Sequence, residues 1–134
     1  WNGPQWTTVM DISAVLLSIQ SILDKYPLLN EPGYTFSEKK HHKIIYDFDD
    51  VAFSETISSL IIKNYDRTPE DFNIFKSIMT DYIKNNFSNI AANITKRLNI
   101  KNRNVVQELY RLNYPIDNNE LLKEYLLFCS RHNL

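Results

Sequence analysis

The sequence predicts an all-α fold of about five or six helices. Across its 134 residues, apolar side chains recur at spacings of three and four, which is typical of helices that bury one face. Prolines and helix-capping residues divide the chain into segments of helical length. No segment alternates polar and apolar residues clearly enough to predict a strand, and the sequence contains no internal repeat.

The first predicted helix covers residues 11–26. Asp11 is a good N-cap, and Pro27 ends the helix directly after Tyr26. The predicted buried stripe consists of Ile12, Val15, Leu16, Ile19, Ile22, Leu23 and Tyr26. Two prolines and Gly33 then predict an irregular turn, and residues 35–43 are predicted to form a polar loop.

Three helices are predicted in the middle of the chain. A rougher apolar stripe predicts the first of them over residues 47–64. Thr68 is expected to cap the next, with Pro69 in its first turn and acidic side chains at the positive end of the helix dipole. Ser88 is expected to cap a shorter helix that reaches Leu98.

The end of the chain is predicted to contain two more helices. The first runs from about Val105 to Leu112, and Pro115 prevents its continuation. Asp117 and Glu120 stand three residues apart, as in a capping box, and open the last helix.

Composition excludes several classes of protein. Hydrophobic residues make up 43% of the chain, too many for a disordered protein. With 15 basic and 16 acidic residues the formal charge is −1, so neither a nucleic-acid partner nor a membrane surface is expected. Apolar runs of four or five residues are too short to span a bilayer. The two glycines cannot build a glycine-rich phosphate loop, and no cofactor is predicted.

The single cysteine, Cys129, bears on both location and chemistry. One cysteine cannot form an internal disulfide, so we expect a reducing compartment, cytoplasmic or nucleocytoplasmic. Its place in the last helix predicts a buried apolar residue.

Two features around the first helix are not explained by core packing. Leu17 lies off the predicted stripe, with Ala14 three residues before it and Ser21 four residues after it. Together they make a small, nearly uncharged second face, although single exposed leucines are ordinary. Further along, the sequence Asn-Glu-Pro-Gly-Tyr sets the carboxylate of Glu31 in a stiff turn before Pro32.

These features resemble the second half of ubiquitin-conjugating enzymes. WTTVMDISAVLLSIQSIL, followed by a short loop and NEPGY, is similar to the central crossover helix of that family and the segments that flank it. The spacing of Trp1, Gly3 and Trp6 is similar to the large hybrid conjugating/ligating branch, which includes the giant BIR-repeat-containing enzyme. The likeness is strongest over residues 1–34, weaker over 46–95 and absent beyond about residue 100.

The resemblance implies a larger α+β fold. This chain would be its helical half, and the sheet and the nucleophilic cysteine would lie upstream of residue 1. Residues 1–95 would be the carboxyl-terminal helical part of the domain, and residues 96–134 a helical extension that the family does not match. The implied reaction moves ubiquitin from a cysteine thioester to a lysine amine. Cys129 matches no family nucleophile, so this chain alone is expected to be inactive.

The resemblance also implies roles for individual residues. Glu31 would orient the incoming lysine, with a solvated turn carboxylate as the equally weighted alternative. Ala14, Leu17 and Ser21 would contact the donor ubiquitin. A ligase would face the loop of Thr7, Thr8 and Val9, and Trp6 would pack beneath the active-site region.

Other candidate sites are weaker. His41 and His42 are adjacent, so their side chains diverge, and Cys129 with His132 would supply only two of the ligands that a zinc site needs. No metal site is therefore predicted. Between Lys96 and Arg111 five basic residues accompany one acidic residue, which is more typical of a solvated face than of a nucleic-acid surface.

The implied partners are the donor ubiquitin thioester and the ubiquitin-activating enzyme, with a ligase as an optional third. Two alternatives remain open. One is a variant without the catalytic cysteine that binds ubiquitin or a conjugating enzyme, and the other is a helical adaptor built on residues 96–134. A cysteine encoded within about ten residues before Trp1 would favour the enzyme over the first alternative.

Overall fold

The computed structural model describes residues 11–22, 24–107 and 111–134. It divides into two compact units, the first ending at Asp49 and the second comprising Asp50–Leu134. Most of the described residues are helical, as the sequence predicts. None of the described helices combines the length and the apolar content needed to cross a bilayer.

Helix α1, Ile12–Ser21, opens the described part of the first unit. The predicted cap is confirmed, because the carboxylate of Asp11 accepts a hydrogen bond from the backbone N–H of Ala14 at 2.7 Å. The helix stops five residues before the predicted end at Tyr26. Side chains compete for the backbone there: Asp24 accepts the N–H of Tyr26 at 2.8 Å, in place of an intrahelical bond.

A 3₁₀ turn, Pro27–Asn30, and the positive φ of 92° at Gly33 confirm the predicted irregular turn. Helix α2, Lys39–Glu55, follows. The polar loop predicted over residues 35–43 is therefore wrong from Lys39 onward. The Tyr26 ring makes T-shaped contacts with the rings of Phe36 and Tyr46 around this start, and those two rings are tilted against each other. Local polarity does not reveal this interaction.

The helix predicted over residues 47–64 is confirmed and is longer than expected. Helix α2 continues without a break into a π-helical segment, Thr56–Lys63, and then into α3, Asn64–Arg67. Within the π-helical segment the consecutive residues Ile57 and Ser58 are both buried.

Helix α4, Asn73–Lys96, is one continuous helix where two were predicted. Ser88 lies exposed inside it and caps nothing. No proline or glycine interrupts this stretch, and the buried stripe of Ile83, Ile90 and Ile94 runs through it, so tertiary packing favours continuity. Thr68 does not cap α4 either, because its hydroxyl donates to the carbonyl of Asn64 at 2.8 Å. A 3₁₀ turn, Glu70–Phe72, precedes the helix instead.

Two short strands replace the helix predicted over Val105–Leu112. Strands β1, Arg103–Gln107, and β2, Leu112–Ile116, pair antiparallel, so the prediction of an all-α chain is also corrected. Side chains alternate across the hairpin, with Val105 1% exposed and Val106 61% exposed. Such short β-branched runs fit a pleated surface better than a helix. Arg111 adopts a positive φ of 50° where the chain enters β2.

Helix α5, Asn118–His132, closes the second unit. The predicted cap is confirmed, because the carboxylate of Asp117 accepts the N–H groups of Asn119 and Glu120, both at 3.0 Å. The main hydrophobic core joins α5 to α3, α4 and the π-helical segment. Its buried members are Ile57, Tyr65, Ile83, Ile90, Ile94, Leu121, Tyr125, Phe128 and Cys129. The division of the chain near residue 95 stays a prediction.

One carboxylate holds together the polar side of the second unit. Asp50, largely buried in α2, forms ion pairs with Arg97, just after α4, and with Arg103, at the start of β1. The Arg97 guanidinium also lies 4.2 Å from the centre of the Phe53 ring. Asn118, at the start of α5, donates its side-chain N–H to the carbonyl of Arg97 at 3.1 Å.

We expect Asp50→Asn to lower the free energy of unfolding by about 1.5–3 kcal/mol, because two arginines lose a charged hydrogen-bond acceptor. Urea unfolding followed by circular dichroism measures it. Asp81→Asn, at an exposed carboxylate of α4, is the matched control and should change stability by less than about 0.5 kcal/mol. Equal effects of the two substitutions would contradict a special role for Asp50.

Candidate functional site

The predicted ubiquitin-contacting residues share one side of α1. Ala14, Leu17 and Ser21 stand three and four residues apart within the helix, so their side chains lie one above the other. Leu17 is 66% exposed. The Ser21 hydroxyl donates to the carbonyl of Ser18 at 2.7 Å, so its proton is already committed within the helix. This face thus offers an apolar centre flanked by small side chains.

The predicted contrast between Leu17 and a buried stripe is wrong for the described part of α1. No described residue of this helix is buried, and Leu16, a stripe residue, is 60% exposed. Ile12, Ile19 and Ile22 are exposed as well. The spacing of apolar residues shows which side chains share a face of the helix. It does not show whether another part of the protein covers that face.

Glu31 lies in the tight turn that the sequence predicts. Its backbone N–H donates to the carbonyl of Leu28 at 3.1 Å, and its own carbonyl accepts the N–H of Tyr34 at 3.4 Å. Leu28 is buried and anchors the turn, whereas the side chain of Glu31 is exposed. The carboxylate makes no hydrogen bond to a described residue, so a positively charged or hydrogen-bonding group could reach it without breaking a contact within the described residues.

Asn30 is a structural residue of this region that the sequence analysis did not single out. Its side-chain N–H group donates to the carbonyl of Ile22 at 3.0 Å and to the carboxylate of Asp24 at 3.3 Å. The turn that carries Glu31 is therefore tied to the end of α1. Asn and Asp side chains commonly hydrogen-bond to nearby backbone groups in turns. This tendency is the sequence feature that could have pointed to Asn30.

The remaining predicted site residues lie outside the described part of the chain. These are Trp6 and the loop of Thr7, Thr8 and Val9. Their assigned roles beneath the active site and toward a ligase stay predictions.

Cys129 is confirmed as a buried apolar residue. It is 2% exposed, and burial raises the pKa of its thiol, against a smaller lowering by the Tyr125 hydroxyl. A nucleophilic cysteine needs the opposite environment, an accessible thiol with a lowered pKa. His132 makes no common site with this thiol, because its Nε2 lies 2.8 Å from the carboxylate of Asp66.

The adjacent histidines also have local partners. The Nδ1 of His41 accepts the backbone N–H of Thr35 at 3.4 Å, and the Nε2 of His42 lies 2.7 Å from the carbonyl of Phe36. In the described ranges, no three His, Cys, Asp or Glu side chains gather in a way that could hold a metal ion.

Comparison with known proteins gives a consistent family signal. A segment of 57 residues is 39% identical to "Ubiquitin-conjugating enzyme E2 Z" of Homo sapiens and of Rattus norvegicus, and 37% identical to that of Xenopus tropicalis. The chain is similar to ubiquitin-conjugating enzymes over part of its length. The segment is 42% of this chain and 16%, 15% and 18% of the three relatives, so it spans about one sixth of their length. No protein-family profile matches the chain.

The comparison supports the resemblance predicted from the sequence at the level of the family.

The environment of Cys129 predicts slow labelling in the folded protein. Because burial raises its pKa, the thiolate forms only at higher pH, and we expect an aromatic disulfide reagent at pH 8 to react more than about 100-fold slower than in the unfolded chain. Mass spectrometry of the peptide that contains Cys129 measures the rate. Labelling at the same rate before and after denaturation would contradict a buried thiol.

Proposed function

We propose that this chain is the carboxyl-terminal helical part of a ubiquitin-conjugating enzyme, of the hybrid conjugating/ligating branch. The observation that carries the proposal is the 39% identity to ubiquitin-conjugating enzyme E2 Z. The resemblance of the WTTVMDISAVLLSIQSIL and NEPGY segments to this family also supports it. The proposed location is the cytoplasm or nucleocytoplasm, and the proposed partners are ubiquitin, its activating enzyme and, optionally, a ligase.

The proposed reaction transfers ubiquitin from a cysteine thioester to a lysine amine. The nitrogen lone pair attacks the thioester carbonyl, the cysteine thiolate leaves, and the amine loses a proton to form the amide. Cys129 is unsuited to be that cysteine, because it is buried and the pKa of its thiol is raised. From the resemblance to the family, the nucleophile is proposed to lie upstream of Trp1.

Helix α1 is proposed to hold the donor ubiquitin closed over the thioester. The exposed Leu17, with the small side chains of Ala14 and Ser21 beside it, offers an apolar surface without a charge to desolvate. In this proposal the opposite stripe, which includes Leu16, packs on the upstream half of the fold. One side of α1 then contacts the donor ubiquitin and the other packs on the rest of the fold, and substitutions on each side can test these roles separately.

Glu31 is proposed to orient the attacking lysine and to accept a proton from its nitrogen as the amide forms. Its carboxylate is exposed and has no hydrogen-bond partner among the described residues, while Asn30 and Leu28 fix the turn that carries it. A positioned carboxylate can accept a proton from the nitrogen once the neutral amine has attacked the thioester carbonyl.

A non-catalytic binding module is the second candidate. The exposed apolar surface of α1 and the unsuitable thiol of Cys129 are both compatible with binding to ubiquitin without transfer. Incubation of the intact protein with the activating enzyme, ATP and ubiquitin decides between the two. A conjugate that a thiol reductant removes supports the enzyme, and its absence together with ubiquitin binding supports the module.

Leu17→Ala in the intact enzyme should slow ubiquitin discharge to lysine about 5- to 30-fold, because the closed donor loses an apolar contact worth about 1–2 kcal/mol. Formation of the thioester should be unchanged. Single-turnover lysine discharge at matched thioester levels measures the effect.

Leu16→Ala is the matched control, since both leucines are exposed in this chain. It should lower the melting temperature of the intact enzyme, whereas Leu17→Ala should not. Wild-type discharge by a normally folded Leu17→Ala enzyme would remove the donor-contact assignment.

Glu31→Ala should slow transfer to lysine by about 10- to 1,000-fold, within the usual range of acid–base catalysis. The defect should shrink at high pH, where the neutral amine is abundant. Transfer to free cysteine should be spared, because a thiol ionises near neutrality. Discharge to both acceptors from pH 6.5 to 9.5 tests this.

Asn30→Ala separates loop anchoring from carboxylate chemistry. This substitution loosens the turn but keeps the carboxylate. It should therefore slow transfer to lysine and to cysteine equally, and the defect should not shrink at high pH. The same pattern for Glu31→Ala would assign Glu31 to the turn alone.

A further inference from the structure

An apolar groove lies between the π-helical segment and α4 in the second unit. Its volume is about 360 Å³, and its walls are the side chains of Leu60, Ile61, Ile78, Met79, Tyr82 and Ile83. None of these residues has a role in the proposed transfer of ubiquitin. The groove is therefore a separate surface of the molecule.

The exposed apolar surface extends from this groove to the start of α4. Six large side chains are more than half exposed, and we call them the apolar patch: Leu60, Phe72, Ile74, Phe75, Ile78 and Tyr82. The rings of Phe72 and Phe75 stack with their centres 6.0 Å apart. Together the six side chains expose on the order of 650 Å², a size that on a soluble protein marks an interaction site.

The order of residues along α4 makes the apolar patch complementary to itself. Ile74, Ile78 and Tyr82 stand four residues apart on one face of the helix. When two copies pack α4 against α4 in antiparallel directions, with Ile78 on the two-fold axis, Ile78 meets its own counterpart. Ile74 of each copy then lies opposite Tyr82 of the other.

The same pairing supplies an occupant for the groove. Phe75, Met79 and Tyr82 stand four and three residues apart, so Phe75 lies on the side of α4 that borders the groove. A two-fold axis sets that side of one copy beside the same side of the other, which brings Phe75 of each copy to the groove of the other. A cavity of about 150 Å³ already accepts a benzene ring, so this larger groove can hold a phenyl ring.

Charges at the two ends of the apolar patch also match. Glu70 and Asp71 lie shortly before the patch residues of α4, and Lys84 follows them. All three side chains are exposed, and none forms an ion pair with a described residue. Antiparallel pairing about Ile78 brings the two acids of each copy toward Lys84 of the other, whereas parallel pairing would set like charges together.

We propose that α4 is a homodimer interface, in which a second copy of this chain packs antiparallel on the apolar patch. The patch residues of both copies bury on the order of 1,300 Å², more than the roughly 1,000 Å² that a specific interface needs. The matches in shape and charge come from one sequence paired with itself, which favours a second copy over an unrelated apolar helix. The interface does not depend on the proposed transferase activity.

Sedimentation equilibrium of the intact protein measures the association, and we expect a dimer with a Kd below about 100 μM. Ile78→Arg sets two like charges on the axis and should weaken the dimer at least about 100-fold. Lys84→Glu should weaken it about fivefold, and the further substitution Asp71→Lys should restore most of that loss. Lys96→Glu, at an exposed lysine near the end of α4, is the control and should leave the Kd unchanged.

Cysteine cross-linking tests the position of the axis. Under mild oxidation Ile78→Cys should give a dimer in which the introduced cysteine is linked to its own counterpart, as identified by mass spectrometry of the linked peptides. Asn89→Cys, exposed on the same face eleven residues later, should not, because the two thiols would lie about 33 Å apart along the helices. Cys129 is buried and does not compete.

Three results would overturn the proposal. They are a monomer at concentrations up to about 1 mM, a dimer that Ile78→Arg does not weaken although it folds normally, and equal cross-linking of the two cysteine variants. A monomer would also be the result if another part of the intact protein covers the apolar patch. Ile78→Cys changes little of the helix, so it still tests the axis if Ile78→Arg fails to fold.

Discussion

The interaction on which the second unit most depends is the pairing of Asp50 with Arg97 and Arg103. Burying a single carboxylate would be costly, but two guanidinium groups compensate its charge. Because the arginines follow α4 and open β1, this carboxylate links α2 both to the end of α4 and to the hairpin. The start of α5 is joined to the same group of residues, because the side chain of Asn118 donates a hydrogen bond to the carbonyl of Arg97.

This long-range pairing also explains which elements the sequence could predict. Asp11 and Asp117 cap their helices as predicted because capping depends on residues two or three positions away. The hairpin was missed because its stability depends on distant partners: Val105 packs with Val51, and Arg103 pairs with Asp50. Five-residue strands carry too little periodic signal to reveal such partners. Ser88 is the opposite case. Its residue type predicts a helix cap, but the packing of α4 continues through this position, so no helix begins there.

The candidate site was predicted in part for the same reason. The turn that carries Glu31 follows from the rigidity of Pro32 and the positive φ of Gly33, both of which local sequence reveals. The anchor supplied by Asn30 was missed because its acceptor, the carbonyl of Ile22, lies eight residues earlier. Exposure of the α1 stripe was missed because periodicity shows which side chains share a face and not what covers them.

Because its apolar stripe is exposed, helix α1 needs a further surface to pack against. A helix of ten residues is marginal in water, and most helical stability in proteins comes from packing of an apolar face. Burying a leucine or isoleucine contributes about 1.5–3 kcal/mol, so covering Leu16, Ile19 and Ile22 would add several kcal/mol to α1. A covering surface on that side leaves Leu17 as the apolar residue still presented to solvent. The two roles proposed for α1, packing of the stripe and contact of Leu17 with a partner, therefore both require that surface to be present.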